Sequence, residues 1–167
     1  MLALALLAQP RRQRSLTNIL REGQFIVNIP TPELAERLVR ASYWYAKGVN
    51  KLEELGFKTG PAQVLDLPIL TECRAHIECR LTQAITPGDH TLLIADVVAA
   101  SYDEGTFGPG MIMNLERVRP LLHLRHVNTV DGQAHVFLVG GQARVAYAPF
   151  PPGGIDEQGR PTADEEE

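Results

Sequence analysis

The chain has 167 residues, 44% of them hydrophobic and 22% charged, which is the length of one ordinary domain and the composition of a soluble globular protein. Its net charge of −4, part of it from the closing Ala163-Asp164-Glu165-Glu166-Glu167, argues against general nucleic-acid binding and leaves a body close to neutral. The apolar residues 1–8 are too few to span a bilayer, and basic residues follow them where a secretory signal would have them in front, so the expectation is a cytoplasmic protein without a membrane segment.

In chain order, residues 1–8 read as the end of a strand. Arg11-Arg12-Gln13-Arg14-Ser15 then runs into a helix expected over residues 16–22 and closed by Gly23. A helix start carries unpaired backbone N–H groups and the positive end of the macrodipole. Three guanidinium groups beside a Ser hydroxyl therefore make a seat for an anion such as phosphate, with a solvated basic turn as the alternative. Residues 24–29 have the β-branched content of a strand that stops at Pro30. Thr31-Pro32-Glu33 predicts a helix start, with an N-cap hydroxyl, Pro at the first helical position and an acid in the first turn. Leu34, Leu38, Ala41 and Tyr45 recur on its core face, and Tyr43-Trp44-Tyr45 reads as packing rather than as a ring-stacking surface. A second short helix is expected near residues 51–55, ending at Gly56 and followed by a loop up to Pro68.

From Glu72 to Leu81 polar and apolar residues alternate without a break, the pattern of a half-buried strand. Cys73 and Cys79 share its core face about 20 Å apart at the rise of an extended chain, too far for a disulfide, so free thiols are expected. Cys73-x-x-His76-x-x-Cys79 has metal-ligand spacing on a helix, but on a strand His76 points away from both thiols, and no metal site is expected. Pro87-Gly88-Asp89-His90 is a turn, and residues 91–100 read as a strand buried on both faces, in which Asp96 must be paired or sit at a rim. Asn114 caps a brief helix through Val118, broken at Pro120. Asp131-Gly132 and Gly140-Gly141 mark two hairpins joining strands expected over residues 127–130, 134–139 and 142–148. The ordered domain is expected to cover residues 1–150, with 151–167 a Pro/Gly-rich and then acidic disordered tail. The fold class is mainly β with short helices (α+β).

Five motifs in order carry a resemblance. Arg11-x-x-Arg14-Ser15-x-x-Asn18-Ile19 is followed by Glu22-Gly23-x-Phe25-Ile26-Val27-Asn28-Ile29-Pro30 and, after a helix, by Asn50-Lys51 and Gly56-Phe57. Glu78-Cys79-Arg80-Leu81 and Gly88-Asp89-His90-Thr91-Leu92-x-Ile94-x-Asp96-Val97-Val98 complete the set. Together they resemble the flavin reductase-like family of FMN-binding split β-barrels, from residue 1 to about 125. The resemblance implies a homodimer that holds FMN near the subunit interface. Such a dimer passes reducing equivalents from NADH or NADPH to flavin, to ferric chelates or to a partner oxygenase.

The same resemblance implies roles for particular residues. Arg11, Arg12, Arg14 and Ser15 match the turn and helix start that hold the flavin phosphate. Asn28 lies in the extended segment close to the cofactor, and Lys51 matches a lysine near the bound flavin. His90 matches a histidine kept for its turn. His123 and His126 stand where the nicotinamide approaches and are candidate contacts to the pyridine nucleotide. No catalytic acid, base or nucleophile is expected, since hydride transfer belongs to the cofactor pair. The family has further strands ahead of the position of Met1, so the chain reads as an N-terminally shortened relative, a start placed too late being the preferred explanation. A non-catalytic flavin-binding or scaffold protein of the same fold, and a fragment without cofactor, stay open as alternatives.

Overall fold

A computed structural model describes residues 1–8, 14–43, 45–46, 48–128, 131–139 and 142–149. The expected tail, Trp44 and the Gly140-Gly141 turn lie outside the described residues. The chain divides into two compact units, one built from Met1–Ile29 and Thr59–Asp103, the other from Pro30–Lys58 and the chain from Glu104 on.

In the first unit the elements are β1 (Leu2–Leu7), α1 (Arg14–Glu22), β2 (Gln24–Ile29), β3 (Thr59–Pro61), β4 (Pro68–Leu70), β5 (Ala75–Ile85) and β6 (His90–Tyr102). Four strands form an antiparallel sheet in the order β1-β6-β5-β2. One face is apolar: Phe25, Cys79, Leu93 and Ala95 are buried there beneath Leu16 and Ile19 of α1, and Leu2, Leu4, Leu6 and Val27 pack around them. The i, i+3 spacing of Leu16 and Ile19 puts both on the helix side that meets the sheet. Gly23 then ends the helix as expected, at φ +66° and with its N–H donating to Ile19 O at 2.9 Å, a conformation that strains any residue with a Cβ. Cys73 and Cys79 are buried free thiols.

The other face of the sheet departs from expectation. Alternation over 72–81 predicts polar side chains in water, yet His76 is 6% exposed and Glu78 is 1% exposed. The segment expected as a plain loop contains the β3–β4 hairpin, and it covers these residues. Glu78 accepts from the N–H groups of Gln63, Val64 and Leu65 at 2.7, 2.9 and 2.8 Å, and His76 Nε2 lies 2.9 Å from Leu70 O. β6, expected to be buried on both faces, is buried on one side at Thr91, Leu93 and Ala95 and open at Asp96, Val97 and Ala100. The helix on its apolar face has nine residues, ~13 Å at the α-helical rise. The strand has thirteen, ~43 Å when extended, so much of it lies beyond the helix. Asp96 faces outward across from Arg80.

The second unit begins at Pro30; the hydroxyl of Thr31 makes no cap hydrogen bond, and the chain enters through a 3-10 turn at Pro32–Leu34. Helix α2 (Ala35–Ser42) follows and stops before Tyr43, so Tyr45 lies beyond the helical face on which it was expected. Helix α3 (Lys51–Glu54) is capped by Asn50, and α4 (Leu115–Val118) by Asn114, the latter as predicted. Strands β7 (Leu121–Asn128), β8 (Gly132–Val139) and β9 (Gln142–Pro149) form an antiparallel sheet in that order. β7 starts at Leu121 rather than at residue 127, and both hairpin pairings are otherwise as expected. Val39 and Tyr43 pack on Phe137, Val139 and Ala148, and the Tyr43 hydroxyl donates to Ala148 O at 2.9 Å. On the opposite sheet face Leu122, Val127, Val145 and Tyr147 are 58%, 50%, 69% and 42% exposed. Among the described residues no helix is long and apolar enough to cross a membrane.

Candidate cofactor site

The first turn of α1 presents Arg14 and Ser15, both exposed, at a helix end that carries no acidic residue. The first four N–H groups of a helix have no partner within it, and the dipole there favours negative charge. A guanidinium and a hydroxyl added to those donors complete the chemistry of a phosphate seat. Arg11 and Arg12 lie outside the described residues.

Asn28, on β2 opposite His76, is engaged with the protein itself. Its Oδ1 accepts from Leu70 N at 2.9 Å and so ties β4 to the sheet. Lys51, in the second unit, donates from Nζ to Ala41 O at 2.8 Å and to Tyr43 O at 2.7 Å, and its ammonium lies 5.0 Å from the centre of the Tyr45 ring. A cation at the carbonyl end of α2 is favoured by the dipole and satisfies acceptors that the ended helix leaves open. His90 behaves as expected, with Nδ1 2.8 Å from Asp89 Oδ1 within their turn, and this bond holds the Asp89 carboxyl below its ordinary range.

His123 and His126 come together with a residue that sequence reasoning missed. β7 and β8 pair so that His126 stands opposite His135, and a bulge between His123 and Arg125 keeps His123 on the same face. His135 Nδ1 lies 3.0 Å from His123 Nε2, and His135 Nε2 lies 3.0 Å from Gln133 Oε1. The His126 ring stacks on His135 with centroids 5.3 Å apart. His135 is 6% exposed, and burial, followed by the neighbouring charges of His123 and His126, lowers its pKa. Asn128 pairs with Gln133, which leaves four residues between the paired ends rather than the two of an Asp131-Gly132 turn, so the register that sets His135 opposite His126 had no signal in the turn sequence.

The His123 and His135 nitrogens face each other as a hydrogen-bonded pair, and the His123 and His126 rings are nearly parallel, at 10°. Such rings share a proton rather than direct three lone pairs at one ion, and among the described residues no group of three or more His, Cys, Asp or Glu is arranged to hold a metal.

Glu78 was also missed as a special residue. Burial alone would raise its pKa, but the donors from Leu65, Gln63 and Val64, with the charge of His76, outweigh that and leave the carboxyl below its ordinary value.

Residues 1–140 match the family described as the flavin reductase like domain, and the chain belongs to that family. It is similar in fold to nitrilotriacetate monooxygenase component B from Bacillus cereus, with a TM-score of 0.67 and 17% identity over 89% of this chain and 70% of that one. A flavin reductase-type protein with a split barrel domain from Shewanella frigidimarina gives a TM-score of 0.65 and 15% identity over 86% of this chain and 66% of that one. The fold class is therefore the split barrel of mainly strands with a few short helices. A protein of Pyrococcus abyssi is 30% identical over 95 residues, 55% of this chain and 52% of its own length. The chain spans about half the length of the first curated relatives it matches.

Proposed function

We propose that this protein is an FMN-dependent NAD(P)H:flavin oxidoreductase working as the reductase component of a two-component monooxygenase. The match of residues 1–140 to the flavin reductase-like family carries this reading. The FMN phosphate is a dianion, and the first turn of α1 with the exposed Arg14 and Ser15 fits it, with Arg11 and Arg12 adding charge just ahead of it in the sequence. Asn28 and Lys51 serve the cofactor by holding the backbone around Leu70 and the end of α2, and His123 and His126 offer imidazoles to the pyridine nucleotide. Bound flavin would supply the two-electron acceptor, and the protein's task is to orient the nicotinamide against it and exclude water.

Pairing of two copies is supported by the apolar sheet face bearing Leu122, Val127, Val145 and Tyr147, since a monomer seldom leaves so much contiguous apolar surface in water. A partner oxygenase is supported by the likeness to a monooxygenase component B. Buried free thiols at Cys73 and Cys79 suit the reducing cytoplasm.

Anaerobic mixing of the purified protein with FMN and either NADH or NADPH tests the reading. Bleaching of the oxidised flavin, with turnover once an acceptor is added, is the expected result. FMN binding without reduction would leave a non-catalytic flavin-binding or scaffold protein, and no FMN binding would leave a fragment without cofactor.

A further inference from the structure

The histidine cluster of the β7–β8 hairpin has a direction. An amide oxygen accepts and cannot donate, so with Gln133 Oε1 3.0 Å away, His135 carries its proton on Nε2 and offers the Nδ1 lone pair. His123 Nε2, 3.0 Å from that lone pair, must then be the donor. The inward nitrogen of His123 is thus committed, and its Nδ1 has no partner among the described residues. In the neutral ring this atom is an acceptor, carried on an exposed side chain. His135 is buried between Gln133 and His123, and the titratable groups facing it are His123 and His126. An isolated surface histidine turns freely and exchanges its proton between nitrogens. A histidine wired to a buried neighbour does neither.

We propose that Gln133 and His135 are positioning residues for His123. They fix its tautomer and ring plane so that Nδ1 accepts a hydrogen bond from a ligand N–H of the primary-carboxamide type carried by a nicotinamide nucleotide. This rests on the pyridine-nucleotide reading above. It goes beyond that reading by assigning roles to Gln133 and His135 and by naming the atom of His123 that meets the ligand.

The test uses the full chain with FMN, labelled with 15N in histidine and studied by NMR. A through-hydrogen-bond 15N–15N coupling between His123 Nε2 and His135 Nδ1 is expected. So is a shift of His123 Nδ1 on adding tetrahydro-NAD, which keeps the carboxamide but transfers no hydride. Gln133→Leu should abolish the coupling. It should also raise KM for NADH about five- to tenfold, the worth of roughly one neutral hydrogen bond, while kcat changes less than about twofold. Absence of the coupling in the unaltered protein, or a proton on His135 Nδ1, overturns the proposal even if the variant fails to fold. NADH oxidation with His123 Nδ1 unmoved by the analogue overturns the positioning role alone. No NADH oxidation, with the coupling present, overturns instead the reading on which the proposal rests.

Discussion

Glu78 in the first unit and His135 in the second are ionisable side chains buried on strands, and the two are satisfied in opposite ways. Glu78 keeps its charge inside because three backbone amides of one turn converge on it. His135 gives up its charge and is held by two side chains, His123 and Gln133. Backbone donors are fixed by the fold and turn a buried carboxylate into a rigid peg. Side-chain partners set the tautomer of the ring they hold, so what Gln133 and His135 fix is passed on to His123 and to whatever its outer nitrogen meets. The first arrangement is suited to building a scaffold and the second to operating a site.

The largest effect separating the two should come from Glu78→Ala. It leaves three amides without their acceptor, and the expected loss is about 3–5 kcal/mol of stability by denaturant unfolding. A loss within ~1 kcal/mol would show that water replaces the carboxylate and that the peg is not rigid. Next is Lys51→Met, which strips the ammonium from the carbonyls of Ala41 and Tyr43 and should cost about 1.5–3 kcal/mol. An unchanged midpoint would mean that the end of α2 closes without it.

Acid should sharpen the contrast with a smaller but ordered effect. For both groups the folded pKa is depressed, so their stabilisation is complete above the unfolded value and is lost as pH falls through the folded one. For His135 the loss begins as pH drops below the ordinary 6.5. For Glu78 it begins below the ordinary 4.5. Hydrogen exchange followed during acidification should therefore show β8 amides losing protection before those of Gln63, Val64 and Leu65. The reverse order would contradict the assignment of the two environments.

What could be read from the chain was local. Gly23, Asn114 and the Asp89-His90 turn each depend on neighbours within a few residues, and each is found where expected. What could not be read was the partner across space. Alternation puts His76 and Glu78 on one face of β5 but says nothing about the β3–β4 hairpin that covers it. Lys51 is near its helix start in sequence, where a cation is mildly unfavourable, yet its ammonium serves the far end of a different helix. The helix start behind the proposed phosphate seat was legible because a basic run meeting such a start is itself a local motif, and Arg14 and Ser15 stand exposed there. His135 was missed because its meaning depends on cross-strand register.

FMN titration of the unaltered chain beside the Arg14→Ala/Ser15→Ala double variant, followed by quenching of flavin fluorescence, tests the central claim most directly. Charge-assisted contacts are each worth about 1.5–3 kcal/mol, so the variant should bind FMN at least about tenfold more weakly while unfolding at the same denaturant midpoint. Equal affinity in the two proteins, or no binding by the unaltered chain, would contradict the claim that the start of α1 holds the cofactor's phosphate.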